Sequence, residues 1–152
     1  MAQESKSEQK KKTKPQLMEE FCKYMKILSG DLKRRFPTDQ ICNTIHRKII
    51  VSVDHAPERI LRAVGVHLVK YNDKIMAEDY DFFLKSTFAT DFPDDRQLDE
   101  KERLCLYTID LVKQHWNNLN EKEKGDYRDV VLKLLFCYTD FREIELKEKV
   151  SK

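Results

Sequence analysis

Glycine is scarce, with three residues in 152. Together with 37% charged residues, that favours helices with solvated faces over sheet. Proline is nearly as rare, and Pro15, Pro37, Pro57 and Pro93 all fall between apolar-periodic stretches. Helical proteins place proline there because it lacks an N–H and clashes with the preceding turn. No C-x-x-C occurs, and no Cys/His pair has zinc-ligand spacing. Cys22, Cys42, Cys105 and Cys137 sit on separate predicted helices and read as four buried thiols of a reduced, intracellular protein. No run approaches the roughly 20 apolar residues that a bilayer crossing needs. Residues 1–14 also lack the apolar stretch of a secretory signal. His46, His55, His67 and His115 have no E-x-x-H or H-x-x-x-H companion, and no serine lies in a G-x-S-x-G elbow. No catalytic residue, metal site or cofactor is therefore expected.

Charge is abundant and unevenly spread. Residues 1–14 hold five lysines against Glu4 and Glu8, a net +3. Residues 33–70 carry eight Lys/Arg against three acids, and residues 71–100 carry three against nine. The chain is bipolar rather than basic, which argues against a polyanion-binding surface over the whole fold but leaves room for a local patch.

Residues 1–14 contain almost nothing to bury and are expected to be a disordered lysine-rich tail ahead of one helical domain, residues 15–147. Leu17, Phe21, Tyr24, Leu28, Leu32 and Phe36 repeat at three- and four-residue steps and predict a helix ended by Pro37. Thr38 can cap a second helix bearing Ile41, Ile45 and Ile49, whose β-branched end at 49–53 also fits a strand. Asp54 and Pro57 open a third, with Ile60, Leu61, Val64 and Leu68 inward. Residues 72–97 break the periodicity, apart from a short helix around Asp79–Leu84, and form an acidic, aromatic-rich crossover. A helix from about Leu98 runs to Trp116. Asn120 and Glu123 make a capping-box start for the last helix, which carries Tyr127, Val131, Leu134, Tyr138 and Phe141. The fold class expected is all-α, a compact bundle of about five helices.

Three features invite a functional reading. Lys10, Lys11, Lys12 and Lys14 form a cationic run that suits a nuclear-import signal, a phosphate-binding arm or a solubilising terminus. Lys33, Arg34 and Arg35, with Arg47 and Lys48, extend the nucleic-acid reading. Tyr80, Phe83 and Phe88 stand among Glu78, Asp79 and Asp81. Exposed, they anchor a partner; folded back, they plug the open end of the bundle. The acids lack the ligand spacing of an EF-hand and suit a helix N-terminus better. Trp116 is expected to be structural, a keystone between the last two helices buried by Leu119, Tyr127 and the first helix's stripe.

Two resemblances add to this. Trp116-Asn117-Asn118-Leu119-Asn120-Glu121-Lys122-Glu123-Lys124 followed by Tyr127 resembles the turn between the last two helices of an HMG box. That family's basic N-terminal strand and wedge residues have no counterpart upstream. Phe36-Pro37-Thr38-Asp39, Glu78-Asp79-Tyr80-Asp81-Phe82-Phe83-Leu84 and the Trp116…Leu119…Tyr127 hairpin resemble small helical proteins of unknown function encoded by large DNA viruses. The second resemblance implies a non-enzymatic accessory or virion-associated protein that binds a protein partner. Its expected site is host cytoplasm, viral factory, nucleus or virion. The alternative is an HMG-like or architectural nucleic-acid binder using the basic tail, with weak non-specific affinity. No membrane partner is expected.

Overall fold

The computed structural model describes residues 12–85 and 100–151, and the described residues contain helices and turns but no strand. Helix α1 spans Lys14–Arg35. The Thr13 hydroxyl accepts from the Gln16 N–H at 3.3 Å, and the Gln16 side chain accepts from the Thr13 N–H at 2.9 Å. This reciprocal cap satisfies two donors that a helix start otherwise leaves open, and Pro15 in the first turn lacks one of its own. Lys33, Arg34 and Arg35 occupy the last turn, where the helix dipole favours cations.

Helix α2 is Gln40–His55. Its cap is Asp39 rather than the expected Thr38: the carboxylate accepts from Ile41 and Cys42 N–H at 2.9 and 3.1 Å. Asp39 is reached after a turn in which its own N–H donates to the Phe36 carbonyl at 3.0 Å. A carboxylate also brings negative charge to the positive end of the helix, which a threonine does not. The β-branched stretch 49–53 is helical, not a strand, because burying Cys42 and Val53 on one face outweighs local preference.

Helix α3, Pro57–Lys70, follows after the single residue Ala56. The short α4, Asn72–Met76, and α5, Tyr80–Lys85, are separated by Glu78, whose φ of 56° lies in the left-handed region. Asp79 accepts from the Phe82 N–H at 3.1 Å, the helix-start role its position suggested. Helix α6, Glu100–His115, ends in a 3₁₀ turn, Trp116–Asn118. The predicted Asn120/Glu123 box is present, with both reciprocal bonds, at 2.9 and 2.8 Å. It opens α7, Glu121–Ser151, 31 residues long. The helices thus extend one residue before and four beyond the expected 15–147 domain.

Helices α1 and α7 lie antiparallel along most of their lengths. Lys14 meets Glu148 at one end (2.7 Å) and Arg35 meets Glu123 at the other (2.6 Å). The central cluster is Leu17, Phe21 and Met25 of α1, Leu61 of α3, and Leu134, Cys137, Tyr138 and Phe141 of α7. Helix α2 covers the other side of α1, and α6 rests on α2. Tyr107 fixes that last contact by donating to Asp39 at 2.8 Å. No helix among the described residues is long and apolar enough to cross a membrane.

Candidate functional site

The basic residues singled out in the sequence are mostly tied into the fold. Lys10 and Lys11 lie outside the described residues. Lys12 pairs with Glu20, and Lys14 with Glu148 while also sitting 5.7 Å from the Phe141 ring centroid. Residues 12–14 therefore belong to the folded unit and not to the expected tail. Arg34 pairs with Asp31; Arg35 reaches both Asp31, at 2.7 Å, and Glu123, and lies over the Tyr127 ring at 5.6 Å. Burial pushes the Tyr127 hydroxyl's pKa up, and its bond to Asp31 adds to the shift. This is a closed network joining α1 to the start of α7. Lys33, Arg34, Arg47 and Lys48 remain exposed, a thinner patch than the sequence suggested.

The aromatic candidates behave similarly. Tyr80 is half-buried against Trp116, with ring centroids 5.0 Å apart. Phe83 is half-buried between Phe82, at 5.3 Å, and Tyr71, at 6.0 Å. Phe88 lies outside the described residues. The two described aromatics fold back onto the bundle end instead of standing free. Trp116 meets Tyr127 at 6.4 Å as expected, but it is half-buried. Its remaining ring neighbours are Tyr80 and Lys124, where the stripe of α1 had been expected. The indole bridges α5 and α7 through Tyr80 and Tyr127.

Among the described residues, chemistry-bearing groups that the sequence left isolated meet across α1 and α2. Ser29 Oγ and His46 Nδ1 are 2.8 Å apart across α1 and α2. Ser29 is 3% exposed, so the pair is an interhelical tie with no access for a substrate. A serine on the apolar face of α1 was the one available signal for it. Cys22, Cys42 and Cys137 are buried and free, while the Cys105 side chain lies outside the described residues. Burial pushes the Cys137 thiol up to about 11, which keeps it protonated and unreactive.

One surface feature escaped the sequence reading. An open groove of about 430 Å³ lies between α3 and α7, lined by Val69 of α3 and by Tyr138, Thr139, Arg142, Glu143 and Leu146 of α7. Val69 and Leu146 are 43% and 54% exposed, and Val66, one turn back on α3, is 56% exposed. Water around such aliphatic groups is released when a partner covers them. The charges beside the groove are already compensated. Arg62 donates to Glu145 at 3.1 Å and Arg142 to the same carboxylate at 2.7 Å, while Lys147 pairs with Glu143 at 3.3 Å. The bonds from Arg62 and then Arg142 hold Glu145 at about 2, below its ordinary 4.5, against the opposing effect of burial.

A depressed carboxylate stabilises the fold above its unfolded value and stops doing so as pH falls through the folded one. Thermal midpoints should therefore fall from about pH 4.5 towards pH 2 partly through Glu145, and Glu145→Gln should lose less over that window. Parallel acid titration curves for the two proteins would remove Glu145 from the account.

The chain matches no known protein-family model, no curated protein and no solved structure.

Proposed function

We propose that this chain is a non-catalytic protein-interaction domain whose α3–α7 groove receives the apolar face of a partner helix. The observation that carries the proposal is the pairing of exposed Val69 and Leu146 with charges that neighbouring side chains neutralise. Such a groove has little to offer a charged ligand, whereas an amphipathic helix can fill it at i, i+3 and i+4 positions. A virion-associated or accessory role in a large DNA virus belongs to the same proposal and rests on the sequence resemblance alone. The nucleic-acid alternative has less behind it, since Lys12, Lys14 and Arg35 already face Glu20, Glu148 and Glu123.

The test is a photo-crosslinking residue at position 69, used in the native source with and without Leu146→Asp. One dominant protein adduct is expected, cut at least roughly tenfold by the aspartate, since burying an unpaired charge costs more than 1.4 kcal/mol. The exposed site should tolerate the change within about 0.5 kcal/mol of stability. An adduct pattern indifferent to Leu146→Asp would reject the groove as the docking site.

A further inference from the structure

Helix α7 is apolar on more sides than the bundle covers. Lys133 is the one charged residue between Val130 and Tyr138. Leu134, Cys137 and Tyr138 pack in the cluster shared with α1 and α3, and Leu135 is buried as well, yet Phe136 between them is 45% exposed. Leu132, Phe136, Thr139, Glu143, Leu146 and Val150 follow at alternating four- and three-residue steps. That spacing makes a nearly straight seam along a helix, of the kind that packs against a second helix. Glu143 interrupts it, with its carboxylate already turned to Lys147.

Beside the seam runs a second pattern. Asp126, Lys133, Asp140 and Lys147 are seven residues apart, all exposed, and alternate in sign. Each seven-residue step drifts by only about 20°, about 60° over the whole row, so successive members stay on one face. Two copies of this line laid antiparallel about a dyad near Phe136 set Lys133 against Asp140 and Asp126 against Lys147, each twice by symmetry. Asp126 and Lys147 already pair with Lys122 at 3.5 Å and Glu143 at 3.3 Å within their own copy, so the Lys133–Asp140 pair carries most of the choice. Shifting the register by seven residues either way sets lysine against lysine and aspartate against aspartate. The line therefore selects one antiparallel register of itself, and that register brings Phe136 of one copy beside Phe136 and Thr139 of the other.

We infer that α7 is a self-association surface: two copies of this chain pair antiparallel through the outer face of α7. The seam shares Thr139, Glu143 and Leu146 with the groove, so the inference rests on the same reading of α7 as a docking helix. Lys133 and Asp140 lie outside the groove, and reversing them tests self-association alone. The charges choose the register while Phe136 and Leu132, which then lie near Phe136 and Thr139 of the other copy, supply the burial, because exposed ion pairs contribute little by themselves. A contact about 30 Å long on one helix face is small, below about 1,200 Å², and fits a weak, reversible dimer.

The experiment is sedimentation velocity of the full chain over a concentration series, with a midpoint expected on the order of 10–100 μM for so small a contact. Lys133→Glu and Asp140→Lys should each weaken dimerisation roughly tenfold, and the double reversal should restore it. Phe136→Asp should abolish it, with helicity by circular dichroism unchanged in every variant. A chain that stays monomeric throughout, or a dimer unmoved by the single reversals, overturns the inference. Either result leaves the position-69 crosslink to be judged separately.

Discussion

Phe141→Ala is expected to be among the most damaging substitutions in this chain, lowering stability by about 3–5 kcal/mol. Phe141 is fully buried, and its ring lies between two cations: Lys14 Nζ at 5.7 Å and the Arg62 guanidinium carbon at 5.2 Å from the centroid. Those cations come from α1 and α3 and pair in turn with Glu148 and Glu145 of α7. One aromatic ring thus sits where three helices are held together, and its loss opens a cavity and removes the surface on which both cations rest. For a domain of this size the thermal midpoint should fall by about 8–15 °C, read by calorimetry or urea unfolding. Val150→Ala, nine residues further along the same helix and 86% exposed, supplies the control and should change stability by less than about 0.5 kcal/mol. A loss under about 1 kcal/mol for Phe141→Ala would mean that this half of α7 is not clamped against α1 and α3.

Much of this architecture is readable in the chain because period and caps are local signals. The stripe of α1 places Leu17, Phe21 and Leu32 in buried positions, and the last helix places Leu134, Tyr138 and Phe141 there, as a 3.6-residue repeat requires. The Asn120/Glu123 box is legible for the same reason, since both partners lie within one turn. What was not legible depends on residues distant in sequence. Lys14 looks like part of a free cationic run until Glu148, 134 residues away, is brought beside it. His46 looks isolated until Ser29 crosses from α1. The groove combines Val69 with Leu146, and neither is unusual on its own helix. The helical 49–53 stretch shows the converse case, with β-branched residues that fit either state until one face is buried.

Gly65 is another position whose meaning appears only in three dimensions, and it reverses a usual rule. Glycine inside a helix costs roughly 1 kcal/mol relative to alanine, so Gly→Ala there normally stabilises. Gly65 lies in the middle of α3 and is buried where α7 crosses. A Cβ at this position would stand 2.1 Å from Tyr138 Cδ1, 2.3 Å from Cγ and 2.5 Å from Cε1. These atoms belong to a ring that is 7% exposed and packed within the central cluster, not to the free end of a mobile side chain. Helix α3 must then move away from α7, or Tyr138 must leave its place over Leu61 and its neighbours. Overpacking of this kind costs about 1–3 kcal/mol, and Gly65→Ala should show a net loss of about 1–2 kcal/mol after the helix-propensity gain. Gly125, on α7 with nothing within 4 Å of its added Cβ, is the internal comparison. Gly125→Ala should raise stability by about 0.5–1 kcal/mol by the ordinary rule. In the double variant with Tyr138→Leu, which removes the ring, Gly65→Ala should cost much less than it does alone, a coupling of about 1 kcal/mol or more. Additive losses, or a gain from Gly65→Ala by itself, would show that α3 and α7 are not in close contact at this crossing, and would remove the shared floor on which the groove between them depends.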